Sequence, residues 1–227
     1  MIRKYNAYFV YICLIFLFPI KFINAGQYRY TALTDFSLSL QNQQTSFVSS
    51  IKTYKVESDH VGINWYEAFT KDFKAGLEYG YLDVSLIDTS QNSIQFGSGE
   101  YYGILFRYKP IDYNIASLTL NLNYRYNQIE NIGNNQTTKL IWQQTLFSTE
   151  LEFHLNTLGF ILAAEHQNVS VEQRDFVNFN QVTNFDSAKN TGYRIGINIK
   201  PNPTAEIRLE WLAGYRKGAI VHFIRGF

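Results

Sequence analysis

Cysteine is almost absent. The single one, Cys13, sits in an apolar stretch near the N-terminus, so the rest of the chain has no thiol, disulfide or cysteine metal site. Any stability must come from backbone pairing and packing. Proline is nearly as scarce: of the four, Pro110, Pro201 and Pro203 fall in two short breaks between patterned segments and interrupt none of them. Long apolar runs are missing too. Beyond Gly26 the longest covers roughly residues 159–164, far below the ~20 residues a membrane-crossing helix needs. Neither charge dominates, with 20 Lys and Arg against 19 Asp and Glu. A nucleic-acid partner, which requires a strong basic excess, is therefore not expected.

The N-terminus differs from the rest of the chain. Arg3 and Lys4 precede an uncharged, largely apolar stretch over 7–20, and Ala25 offers a small residue for cleavage before Gly26. This pattern is that of a secretory signal peptide over 1–25, cleaved to leave one domain over 26–227. Removing Arg3, Lys4 and Lys21 with it leaves the domain close to neutral.

The dominant signal in the domain is alternation of apolar and polar residues. From 116 to 126 every even position is apolar or aromatic (Ala116, Leu118, Leu120, Leu122, Tyr124, Tyr126), while Ser117, Thr119, Asn121, Asn123 and Arg125 are polar. The same period recurs at 193–199 and 206–211, and less perfectly at 28–40, 59–69, 73–87, 100–109, 139–155, 159–172 and 219–227. Each segment reads as a strand with one oily and one wet face. The residues Ala163 and Ala164 blur the two faces of 159–172. Residues 46–57 alternate poorly and read as an extension into the first outer loop.

A soluble sandwich also alternates, but three features favour a membrane barrel. The apolar faces carry aromatics at strand ends (Trp65, Phe69, Phe73, Tyr79, Tyr81, Tyr124, Tyr126, Trp211, Tyr215), as expected of interfacial girdles. The strands are long enough for a tilted crossing. Short breaks near 70–72, 110–114, 156–157 and 201–204 alternate with longer polar ones at 88–98, 128–138 and 173–189, matching the short turns and long loops of outer-membrane barrels. The expected fold is thus an all-β, antiparallel up-and-down transmembrane barrel of ten strands, with eight as the nearest alternative.

Val221, Phe223 and Phe227 share one face of the last segment, and this resembles the C-terminal assembly signal of bacterial outer-membrane barrels; Arg225 departs from that pattern. By pattern the chain resembles the small barrels of the OmpA-transmembrane-domain and OmpX kind. The resemblance implies a Gram-negative outer membrane, contact with its lipid, and insertion by barrel assembly machinery. Extracellular ligands would meet the loops at 41–58, 88–98, 128–138 and 173–189.

On the inward face the expected charges are Arg29, Lys74, Arg107, Lys109, Arg125, Arg194 and Arg208 against Asp35, Glu78, Glu150, Glu152, Glu165, Glu206 and Glu210. A balanced set of this kind can pair and fill a narrow lumen. The row Glu150, Glu152 and His154 could bind a metal or act as a general base, but a lumen ion network explains it more simply. Outer-membrane proteases of the omptin kind use paired Asp and an Asp–His couple. Asp83 and Asp88 lie near one rim here, with no His placed as their partner. Nor does His166-Gln167-Asn168-Val169-Ser170 reproduce the His-x-Ser-Asn run of lipid A deacylases. The expected role is structural or surface-interacting and not enzymatic, with no cofactor or metal; a narrow channel for ions or very small solutes is the alternative, and a membrane-embedded hydrolase ranks third.

Overall fold

The structure, a computed structural model, describes residues 33–48, 53–87, 93–133, 136–175 and 181–227. The expected leader, Arg29 and Asp88 lie outside the described residues. Every described element is a strand: β1 (Thr34–Val48), β2 (Thr53–Ala68), β3 (Phe73–Ile87), β4 (Ser93–Asp112), β5 (Ala116–Gly133), β6 (Gln136–Leu155), β7 (Leu158–Asp175), β8 (Gln181–Ser187), β9 (Thr191–Asn202), β10 (Ala205–Gly214) and β11 (Arg216–Gly226). All pairings are antiparallel, and β11 pairs with β1 to close the wall.

The base of the barrel is the end where Leu33 N donates to Phe227 O at 3.0 Å. There the ring has ten strands, β1 to β7 followed by β9, β10 and β11. Toward the opposite end, the crown, the count changes. The β10–β11 hairpin stops at Gly214, whose φ of +101° suits a residue without a Cβ. Above it β8 continues the descending line of β9: β9 pairs with the lower part of β7 and β8 with the upper. There β8 reaches β1 directly, through Phe47↔Ser187 and Val48↔Asp186. The crown is thus a ring of eight strands standing on a ring of ten.

The faces invert between the two levels. In the base the outward positions are apolar: Val61, Ile63 and Trp65 on β2, Leu77, Tyr79 and Tyr81 on β3, Leu158, Phe160 and Leu162 on β7 are all exposed. The outward apolar positions of 118–126, at ~3.3 Å per residue and ~40° tilt, cover about 22 Å, close to the ~25 Å apolar band of a membrane barrel. Going up, the outward residues become Asn42, Asp59, Asp83 and Ser98, a polar row in cross-strand register. Asn42 Nδ2 donates to Asp59 Oδ1 at 2.7 Å, and Gln44 Nε2 to Glu57 Oε1 at 2.9 Å.

The interior inverts in the opposite sense. Inside the crown, Phe47, Val56, Leu82, Val84, Tyr101, Ile129, Leu140, Trp142, Val169, Val171 and Phe185 form one buried apolar cluster. All eight crown strands contribute to it. The crown therefore obeys the rule of a water-soluble barrel, oily inside and wet outside, whereas the base obeys that of a membrane barrel. Inversion explains why 159–172 alternates poorly: it crosses the level at which the apolar face changes sides, with Ala163 inward and Ala164 outward at the change.

The sequence reading of outer loops needs correction. Most of 41–58, 88–98, 128–138 and 173–189 is strand, because β1 to β7 continue well past the membrane level, and β4 and β6 reach 20 residues each. The strand β8 was not foreseen. Gly62 and Gly80 have a specific task at the boundary: a Cβ at Gly62 would lie 1.9 Å from Tyr101 Oη, and one at Gly80 2.5 Å from Tyr101 Cζ. The two absent side chains leave the slot in which the Tyr101 ring closes the floor of the crown.

Candidate functional site

Ionised side chains fill the base lumen and form forked pairs. Arg125 reaches Glu78 through Nε at 2.7 Å and Nη2 at 2.9 Å, and its guanidinium lies 4.6 Å from the Tyr101 ring centroid. Glu150 joins two guanidiniums, accepting from Arg194 Nη2 and Arg208 Nη1, each at 2.8 Å. Arg194 also donates to Glu210 at 2.9 Å, and Arg208 pairs with Glu206 at 3.0 Å. Lys74 contacts Asp35 at 2.6 Å. Charged groups taken out of water need such complete pairing, since one unmatched partner costs several kcal/mol.

The alternation of strands places these residues. Positions of one parity face inward along each strand, so 150, 152 and 154 on β6 meet 194, 198 and 200 on β9 and 206, 208 and 210 on β10 across the lumen. The structure brings Glu150, Glu152 and His154 together as the sequence suggested, but commits them to the network. Glu152 accepts from Asn198 Nδ2 at 2.7 Å and Lys200 Nζ at 3.1 Å, and His154 Nδ1 sits 3.2 Å from it. Among the described residues no group of three or more His, Asp and Glu is arranged to hold a metal ion. Asp83 faces outward, where Ser98 Oγ donates to it, and His166 and Ser170 are outward and exposed.

Between the ion network and the crown core lies a polar belt that the sequence reading missed. Arg216, which is buried, makes two 2.9 Å contacts to Glu165 and one of 3.4 Å to Gln43. Tyr215 Oη donates to Glu165 at 2.9 Å. Tyr215 was expected among the interface aromatics; the structure turns it inward because the tight turn at Gly214 breaks the alternation, burying Tyr215 and Arg216 consecutively. That Gly was the available signal. Gln167 links the belt to the crown by accepting from Gln144 and donating to Ser187 Oγ. The cavity here, lined by Gln43, Ser58, Trp142, Gln144, Gln167 and Arg216, measures about 20 Å³, enough for one water.

The other aromatics named from sequence face outward. Trp65, Phe69 and Phe73 lie at the base, with Trp65 Nε1 donating to Glu67 at 2.9 Å. Tyr79, Tyr81, Tyr124, Tyr126 and Trp211 lie toward the crown side of the apolar band, Tyr126 stacking on Tyr102 at 5.1 Å. At the closing seam Val221, Phe223 and Arg225 point outward on β11, and the Phe227 ring meets Phe36 edge-on at 6.0 Å.

No family model matches the chain, and no curated protein sequence matches it. Solved structures do match in shape. The outer membrane protease OmpT from Escherichia coli is 6% identical, with 88% of this chain and 96% of that one covered at a TM-score of 0.49. The translocator domain of the autotransporter NalP from Neisseria meningitidis is 9% identical over 88% and 90% of the two chains, at 0.43. An outer membrane channel from Pseudomonas putida F1 is 9% identical over 90% and 100%, also at 0.43. Such likenesses carry no chemistry to this chain; the strand order, closed wall and outward apolar band make it a ten-strand barrel of the outer-membrane kind.

Proposed function

We propose that the protein is a sealed, non-enzymatic outer-membrane barrel that holds a rigid, polar-faced crown above the outer leaflet as a structural or surface-interacting element. The observation that carries this reading is the crown's apolar cluster, to which every crown strand contributes and in which Trp142 is 5% exposed. Ions crossing that core would shed their hydration with no polar group to replace it, at a cost of many kcal/mol. Beneath it, forked ion pairs occupy the space a solute would need. Planar bilayers test the reading: the purified barrel is expected to give no conductance steps over a range of voltages, while migrating as a heat-modifiable sheet protein from outer-membrane fractions. Stable steps would replace it with the narrow channel.

A further inference from the structure

One histidine lies at the junction of belt and crown. His60 is 3% exposed, and its ring meets that of Tyr101 edge-on at 5.5 Å between centroids. Its Nε2 lies 3.2 Å from Gln43 Nε2 and 2.9 Å from Ser58 Oγ, whereas Nδ1 has no hydrogen-bond partner. The neighbouring bonds decide which ring nitrogen carries the proton. Arg216 can only donate, and its Nη1 donates to Gln43 Oε1 at 3.4 Å, as does Gln41 Nε2. Gln43 therefore keeps its amide oxygen toward Arg216 and presents N–H to His60, whose Nε2 must accept and stay unprotonated. A second proton on the ring would set N–H against N–H, and Gln43 could relieve that only by turning its oxygen away from Arg216. No neighbour offsets the added charge. The charged groups that face the ring are Arg125 on β5 and Arg216 on β11, both cations. The carboxylates beside them, Glu78 and Glu165, are already bonded to those guanidiniums. From β4 the ring meets Tyr101, while β1 and β3 present the neutral Gln41, Gln43 and Leu82.

We infer that His60 is an acid-sensitive latch: the crown stays closed while the imidazole is neutral and opens when it takes up a proton. Ser58 and Gln43, its two polar partners, line the belt cavity, and Val56 and Trp142 of the apolar cluster line the same space. Loosening the belt thus admits water at the floor of the core. The ring binds no proton in the closed crown; in the open crown it binds one with the ordinary affinity of a solvated histidine, near about pH 6.5. The open form holds more protons, so closure weakens as pH falls below that value. This goes beyond the sealed reading, which concerns the lumen at neutral pH and is tested separately by conductance.

The test is hydrogen exchange of the detergent-purified full chain at about pH 7.5 and about pH 5, each amide's rate being divided by its intrinsic rate at that pH. Between those values one such proton shifts the opening equilibrium about thirtyfold. Protection in β8 and the upper part of β7 is expected to fall by about that factor, with amides of 118–126 unchanged. H60Q removes the titrating group, and Q43E supplies a carboxylate that accepts both from Arg216 and from a protonated ring. In both variants protection is expected to hold at the lower pH. A parent whose crown keeps its protection, an H60Q that loses it as the parent does, or base amides that lose it equally would overturn the proposal. Should H60Q fail to fold, Q43E decides: a fall equal to the parent's overturns the latch.

Discussion

Truncating Trp142 to alanine tests whether the crown is held by its core or merely drawn out by the long strands beneath it. Trp142 packs against Phe47 at 6.4 Å between centroids, and its backbone carbonyl accepts from Asn127 Nδ2 at 3.2 Å, a bond the substitution keeps. The loss is thus one of packing. A buried Trp covers about 200 Å², which at ~25 cal/mol per Å² is about 5 kcal/mol, and measured Trp-to-Ala changes run about 3–5 kcal/mol. The base has its own ion network and lipid contacts, so the loss should fall on the crown alone as easier local opening. At about 3 kcal/mol, amide exchange in β8 and the upper part of β7 should accelerate by about a hundredfold or more, with amides of 118–126 unchanged. Hydrogen exchange read by mass spectrometry resolves those segments. If β8 exchanges at the parental rate, or if the base amides accelerate equally, the crown is not an independently packed unit and the reasoning fails.

Other expectations rest on the same geometry. Ile195→Arg, at an exposed outward position in the base, should cost about 2–4 kcal/mol in bilayers by equilibrium unfolding, whereas Ser170→Arg, outward in the crown, should stay within about 0.5 kcal/mol; equal costs would refute the level assigned to the waterline. Arg208→Met strands Glu206 and takes from Glu150 one of its two guanidiniums, and should destabilise by about 3–5 kcal/mol in thermal unfolding, with partial recovery in R208M/E206Q. Gly62→Ala drives its Cβ into the Tyr101 hydroxyl and should cost about 1–3 kcal/mol in thermal unfolding, and combined with Tyr101→Ala it should cost less than the two single changes together. Phe227→Ala, losing the edge contact with Phe36, should slow appearance of the heat-modifiable form while shifting final stability by only about 1 kcal/mol.

The base ring was readable because its chemistry is monotonous. At 116–126 the apolar side is lipid at every step, so parity alone assigns each residue, and the ten segments found by alternation correspond to ten wall strands. The inward charges came from the same parity, but their partners did not: that Glu150 would join Arg194 to Arg208 depends on cross-lumen distances that no periodicity encodes. Parts of the crown were read as loops because their polar outward face, with Asn42, Gln44 and Glu57, has the composition of a loop, and the apolar inward face shows only once the strand pairing is known. Strand β8 is short and lies in a polar region, and among its described side chains Phe185 alone joins the core. Tyr215 was misassigned because two consecutive buried residues violate any period-two rule.

The change from ten strands to eight has a consequence for the order of assembly. The segments that become the crown must travel outward across the plane of the membrane, and the finished base leaves them no path, being occupied by side chains locked to one another from wall to wall. Translocation must then precede closure of the β1–β11 seam, whose register runs from Asp35↔Gly226 to Thr45↔Arg216. The β10–β11 hairpin suits that sequence of events: it follows the other wall strands along the chain, spans only the membrane level, and can slide in beneath a crown that β8 has already joined to β1.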